Sequence, residues 1–442
     1  MVSAGLHREA YQLAVDARDR RFDGVFFVAV TTTRVYCRPI CPSRLAYDRH
    51  RRFFDSAAAA ERAGFRPCLR CRPELAPGTG RVGLGAVSRL AQVATQRIAA
   101  GALNDRSVTE LATELGVSER HLRRALEREV GVSPLDLAQT YRLLLAKRLL
   151  ADTDLSVTRV AYASGFQSLR RFNASFREQY GMPPSALRRK TALAPRPSAS
   201  LRLTLAYRPP LAWGALLDSL RAVATAGVEV FDGSRYGRSV RMDGHTGVIF
   251  AEDVPASQHI AVEVTPSLVP VLMPLIAGLR RLFDLDAEPA VIDAHLAVEG
   301  LAREVGKTPG VRVPGALDGL DVAIQLLLGG RGGLGDPIET GVPGLTHLPP
   351  TVEQARRVKG VPALARAIAA GALRLEPGGD VEATRAALIG LDGIGEELAT
   401  QIVMRALYWP DAFYTKNRVL LARAEAWRPW RAYAARHLLP PA

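Results

Sequence analysis

The residues best suited to reactive chemistry lie near one end of this 442-residue chain, where its four cysteines all fall between positions 37 and 71. Cys37 and Cys41 are separated by three residues, Cys68 and Cys71 by two. Two close pairs brought together across a fold supply four thiolates in the tetrahedral arrangement that Zn²⁺ takes. In a chain with no other cysteine, such clustering argues against structural disulfides. Spacing leaves two roles open. One is a clip that only holds the fold; the other is a reactive centre, since a zinc-bound thiolate stays deprotonated at neutral pH.

The surrounding charge identifies a partner. The whole +14 excess lies in residues 1–190, which carry 32 Lys and Arg against 18 Asp and Glu, while the remainder balances at 26 each. Nearly all of this excess is arginine, whose forked guanidinium suits phosphate oxygens. Nucleic acid is therefore the leading partner of this half and a membrane surface a distant second, and the helix-turn-helix pairs that follow point to double-stranded DNA. The segment Val108–Leu126 has the pattern of two helices joined by a tight turn, with Gly116 in the turn and Ser118 capping the second helix. Val157–Phe172 repeats it about fifty residues later, with Gly165 and Ser168 in the matching places.

Phe22–Cys41 (FDGVFFVAVTTTRVYCRPIC) followed by Ala63–Cys71 (AGFRPCLRC) resembles the N-terminal domain of the Ada adaptive-response family. The resemblance implies that Cys37 is both a zinc ligand, with Cys41, Cys68 and Cys71, and the acceptor of a methyl group from methylphosphotriesters in DNA. One Zn²⁺, structural and catalytic, is implied. Arg44 and Arg66 match family positions that contact the DNA backbone. The two helix-turn-helix units, ending in Phe172–Ser185, resemble the AraC-type DNA-binding domain, whose second helices enter the major groove. Glu119, Arg120, Arg123 and Arg124 in the first unit, and Ser168, Arg170, Arg171 and Asn173 in the second, are candidates for base or phosphate contact. A transcription activator switched by methylation, with RNA polymerase as a further partner, follows from this resemblance.

The second half resembles AlkA-type 3-methyladenine DNA glycosylases through Leu205–Trp213, Phe231–Tyr236, Arg281–Ala287, Leu391–Gly395 with the helix Glu396–Leu407, and Glu425–Tyr433, read as the final helix. Gly393 and Gly395 of the hairpin are expected to leave backbone N–H groups free for a phosphate. Such enzymes flip a base out of the duplex and break its bond to the sugar, a step assisted by a fixed carboxylate. The family carries that Asp shortly after Pro-Asp-Ala-Phe. Here Pro410–Phe413 is followed by Tyr414-Thr-Lys-Asn417, which puts a neutral amide at the position. Glu397 stands where the family has an aromatic or a Schiff-base Lys, and Leu328–Gly335 is too glycine-rich to continue a helix. An impaired glycosylase is the expectation. The alternatives are an active DNA-3-methyladenine glycosylase II delivered by the N-terminal half, using Asp411, Glu396 or Glu397 as its acid, and a transcription factor with a merely structural zinc.

These residues call for a multidomain α+β chain. The expected parts are a small zinc-binding α/β domain at 1–75 with a strand at Val25–Val30, an all-α AraC-type double helix-turn-helix at 82–190, an AlkA-like β-containing α+β domain at 200–305, and an all-α helix-hairpin-helix domain at 314–442. Strands are expected at Leu201–Leu205, Gly227–Phe231 and Ile260–Val264. Linkers are read at Leu75–Gly80 and Ala194–Ser200. The sequence has no run of about eighteen uncharged apolar residues and no apolar signal core at its start, so a cytoplasmic protein with no membrane partner is expected.

Overall fold

The structure is a computed structural model and describes residues 4–78, 86–191 and 200–439. Parts of both expected linkers, 79–80 and 194–199, lie outside the described residues. Two compact units are distinguished, residues 1–208 with 272–277 and residues 209–271 with 278–442.

The first unit opens with helix α1 (Ala4–Asp16), whose Tyr11, Ala14 and Val15 pack on Phe26 and Val28. A four-stranded sheet follows, ordered β3-β1-β2-β4: β1 (Phe27–Val30), β2 (Val35–Cys37), β3 (Arg51–Phe54) and β4 (Arg66–Pro67). The central strand starts two residues later than expected because Val25 N donates to Phe22 O at 3.0 Å in a turn. Helix α2 (Ala57–Arg62) links β3 to β4 and is capped by Ser56, whose side chain accepts from Ala59 N.

The helical part comprises α3 (Ala86–Ala99), α4 (Val108–Glu114), α5 (Glu119–Glu129), α6 (Pro134–Asp152), α7 (Val157–Ala163), α8 (Leu169–Tyr180) and α9 (Pro184–Thr191). Both predicted turns form. Ser118 caps α5 by accepting from His121 N, Ser168 caps α8 by accepting from Arg171 N, and Gly116 and Gly165 take φ of +69° and +84°, values that favour glycine. The long helix α6, with Ser133 as cap and Pro134 in its first turn, runs between the two units of the repeat. A strand, β5 (Leu201–Ala206), follows.

In the second unit, after α10 (Trp213–Arg221), strands β6 (Glu229–Asp232), β7 (Arg235–Met242), β8 (His245–Val254) and β9 (His259–Val264) pair antiparallel in sequence order. Helix α11 (Leu272–Leu282), whose residues 272–277 count with the first unit, is followed by α12 (Pro289–Leu296), α13 (Ala302–Lys307) and α14 (Gly319–Leu328). Helix α14 stops at Leu328, and the glycine run after it is not helical. Helices α15 (Val352–Ala355), α16 (Pro362–Ala369), α17 (Val381–Ile389) and α18 (Glu396–Ala406) share with α14 one core that includes Val322, Leu364, Leu388 and Ile402. The chain ends in α19 (Arg418–Arg423) and α20 (Arg431–Leu438). Glu425–Tyr433, expected as part of a single helix, is instead a short 3₁₀ turn at Ala424–Trp427 followed by α20. Pro429 has no N–H to continue the ladder and disfavours helical backbone at Arg428. No helix among the described residues is long and apolar enough to cross a membrane.

Candidate functional site

The sheet assembles the cysteines. Parallel pairing of β2 with β4 matches Val35 to Arg66 and Tyr36 to Pro67, and Cys68 N donates to Tyr36 O at 2.9 Å. Cys37 at the end of β2 therefore meets the Cys68-x₂-Cys71 knuckle. Cys41 returns to it through a turn in which its N–H donates to Arg38 O at 3.1 Å. The four sulfurs lie within 4.8 Å of one another. A tetrahedron with Zn–S bonds of about 2.3 Å has S–S edges of about 3.8 Å, so the donor set fits zinc in both number and spacing.

The four sulfurs differ in environment. Cys41, Cys68 and Cys71 are buried, whereas Cys37 is half-buried. Arg38 N donates to Cys71 Sγ and Arg70 N to Cys68 Sγ, both at 3.3 Å. Such bonds draw electron density from a sulfur, and none is made to Cys37 by a backbone N–H among the described residues. The bond with Cys37 pushes Cys41 down and, with that of Cys71, brings Cys68 to about 6. Bonds with Cys41, Cys68 and Cys71 push Cys37 up. A buried ion pair fixes the loop between the first two cysteines, with Arg38 Nε donating to Asp23 Oδ1 at 2.8 Å and its Nη1 to Cys71 O at 3.2 Å. Arg44 is exposed and Arg66 half-buried in the same subdomain. Arg52 stacks over Phe54 and Phe65 at 5.0 and 5.6 Å, and Arg34 over Phe65 at 5.7 Å. These stacked arginines were not singled out from the sequence, where they look like any other surface charge.

On α5, Leu122, Ala125 and Leu126 face the core while Arg120 and Arg124 are exposed. Arg123 is held by Glu119 four residues earlier, Nη2 to Oε1 at 2.7 Å, and Thr109 donates to the same Glu119 at 2.5 Å. Glu119 and Arg123 therefore brace the unit, whereas Arg120 and Arg124 make no ion pair among the described residues. On α8, Phe172 and Phe176 are buried, Arg170 and Arg171 are exposed, and Asn173 is half-buried.

In the second unit Asn417 is the N-cap of α19. Its Oδ1 accepts from Val419 N at 2.9 Å and Leu420 N at 3.3 Å, and the residue is exposed. Beside this loop lies a cavity of about 450 Å³ whose walls include Glu397, Gln401, Met404, Phe413, Lys416 and Arg436. The three nearby acids fare differently. Asp411 is buried and paired with Arg428 at 2.6 Å and Arg431 at 2.8 Å. Glu396 lies 3.9 Å from Arg385. Glu397 lines the cavity with no ion pair among the described residues. Gly393 has φ +85°, and Gly395 caps α18 with no side chain over its first N–H groups.

Known proteins match these parts. The metal binding domain of Ada matches residues 10–74, a helix-turn-helix domain residues 111–190, and the AlkA N-terminal domain residues 202–318. A Mycobacterium tuberculosis protein described as "Probable bifunctional transcriptional activator/DNA repair enzyme AlkA" is 34% identical over 96% of this chain and 94% of its own. DNA-3-methyladenine glycosylase 2 of Escherichia coli is 28% identical over 53% of this chain and 95% of its own. The Escherichia coli bifunctional transcriptional activator/DNA repair enzyme Ada is 31% identical over 40% of this chain and 47% of its own. Four clustered thiols, two capped helix-turn-helix units and a glycosylase-like second half in one continuous match place the chain in the family of bifunctional Ada–AlkA transcriptional activator and DNA repair proteins.

Proposed function

We propose that Cys37 accepts a methyl group from a methylphosphotriester in DNA, once per chain, and that the methylated protein activates transcription in the cytoplasm by recruiting RNA polymerase. The observation that carries this reading is the asymmetry of the cysteine cluster: one sulfur is half-buried and receives no backbone N–H among the described residues, while the other three are buried. One Zn²⁺ held by Cys37, Cys41, Cys68 and Cys71 would keep all four as thiolates at neutral pH, with a cluster charge of about −2. The Cys37 sulfur attacks the methyl carbon, an S–C bond forms, the C–O bond breaks, and the phosphate recovers its negative charge. One thiolate charge is lost, so the surface repels the DNA backbone less and binding tightens. Arg44, Arg66, Arg120, Arg124, Arg170 and Arg171 supply the cations for phosphate contact, and Asn173 is available to a base. In this reading the four parts of the chain are 1–75, 82–190, 200–305 and 314–442. Incubation with methylated duplex DNA should add one methyl group to the Cys37 peptide, read by mass spectrometry. Cys37→Ala should show no transfer; transfer at the wild-type level in that variant sinks the assignment, and an unmethylated wild type supports a merely structural zinc.

For the second unit we infer a glycosylase frame with impaired catalysis. Asn417 keeps the helix cap of an Asp but brings no charge to the sugar. The positive φ of Gly393 and the absence of a side-chain cap at Gly395 support phosphate binding at the start of α18. A second reading, an active 3-methyladenine glycosylase, is favoured by Glu397, a carboxylate on the cavity wall with no ion pair among the described residues.

A further inference from the structure

Thr140, Leu144 and Lys147 stand at i, i+4 and i+7 on α6, on one stripe of the helix. All three meet the cysteine-bearing subdomain. Thr140 Oγ1 donates to Glu61 Oε2 at 2.8 Å, and the other oxygen of Glu61 accepts from Tyr36 OH at 2.9 Å. Leu144 joins a core with Phe27, Tyr36 and Phe65. Lys147 Nζ donates to the carbonyl of Cys68 at 3.3 Å and forms an ion pair with Glu74. Arg72 completes the clamp, reaching Glu74 at 3.0 Å and Asp152, the last residue of α6, at 2.7 Å.

Lys147 is 2% exposed, and its partner's side chain is 1% exposed. An ammonium is a costly way to fill such a position, since leucine or methionine would fill it without desolvating a charge. What the charge adds is a bond to the backbone of a cysteine-cluster residue and sensitivity to that cluster's own charge. It sits on the helix that joins the two helix-turn-helix units.

We propose that Lys147 is the positioning residue through which the methylation state of the cysteine cluster reaches α6 and hence both helix-turn-helix units. The inference rests on the reading of Cys37 as the methyl acceptor. Turning one thiolate into a thioether removes a negative charge from the cluster and weakens its hold on the ammonium. Lys147 then shifts its balance from the Cys68 carbonyl towards Glu74, and the docking of α6 loosens at that point.

The test uses the full zinc-loaded chain and methyl iodide, a donor that needs no DNA: the sulfur takes the methyl group and iodide leaves. Mass spectrometry reads the methyl on the Cys37 peptide, and hydrogen exchange reads the amides of residues 140–152 before and after. Methylation should speed that exchange by about threefold or more in the wild type, leave it unchanged in Lys147→Met, and speed it in Lys147→Arg, which keeps the charge. A merely structural lysine would raise exchange in both methylation states alike and leave their ratio intact. The proposal is overturned if the methylated wild type exchanges as the unmethylated one does, or if Lys147→Met responds equally. Should Lys147→Met fail to fold, Glu74→Gln decides: losing the competing anchor should change the size of the response, and an unchanged response refutes the proposal. A Cys37 peptide that gains no methyl refutes the acceptor reading instead.

Discussion

Glu61 joins α2 to α6, and replacing it with glutamine is a quantitative probe of that junction. Its carboxylate accepts hydrogen bonds from Tyr36 and Thr140, yet burial outweighs both and raises it from 4.5 to about 7. The folded protein therefore holds this proton more tightly than the unfolded chain does. The resulting stability is fully present below pH 4.5 and is lost as pH rises through 7. At 1.36 kcal/mol for each tenfold change, the gap amounts to at most about 3 kcal/mol. In Glu61→Gln the amide oxygen still accepts from Tyr36, and the Thr140 hydroxyl can rotate to accept from the new N–H, so the bonds survive and the pH term disappears. Hydrogen exchange of the α6 amides, measured on both zinc-loaded proteins, isolates this region within the full chain. Glu61→Gln should gain about 2–3 kcal/mol relative to wild type on going from pH 5 to pH 8. A difference that varies by less than about 0.5 kcal/mol over that range would mean that the carboxylate is not held against its charge, and would refute the reasoning.

Asn417→Ala should cost about 1 kcal/mol through the lost cap, whereas Asn417→Asp should keep the cap and raise release of 3-methyladenine from alkylated DNA about a hundredfold. Wild-type release already equal to that of Asn417→Asp, and abolished by Glu397→Gln, would move the catalytic carboxylate to Glu397. Arg124→Ala and Arg171→Ala should each weaken duplex binding and lower the slope of log affinity against log salt by about 1, read by fluorescence anisotropy across a salt series. An unchanged slope would remove that residue from the interface. Ser118→Ala should destabilise the first helix-turn-helix by about 1 kcal/mol, visible as faster exchange in α5, because His121 N loses its acceptor.

Local signals were the readable ones. Ser118, Ser168, Gly116 and Gly165 disclosed both helix-turn-helix units because caps and positive-φ turns are written in single residues. The cysteine cluster was legible from spacing for the same reason, since each pair of ligands is local. The end of α14 at Leu328 was predictable from the glycines beyond it. The break in the last helices could have been read at Pro429, but the surrounding resemblance favoured a single helix. What the sequence could not disclose were partnerships across distance. Lys147 lies 79 residues from Cys68 and 73 from Glu74, and nothing local separates it from a solvated lysine. Likewise, Asp411 is as available as Glu397 by sequence alone, yet in the fold Arg428 and Arg431 hold it.

Ala58, carried by α2 of the cysteine-bearing subdomain, lies in the same core as Ile98, Leu103, Leu111 and Leu126 of the helical part. Leu144 makes the reciprocal crossing from α6 into the core of the sheet. Two stretches that read as separate modules along the sequence thus share hydrophobic surface in both directions. Cutting the chain between them would bare apolar faces on each fragment. Stripping the metal with a chelator should accordingly melt the DNA-reading helices along with the cysteine knuckles, in a single cooperative transition that a two-module protein would split into two.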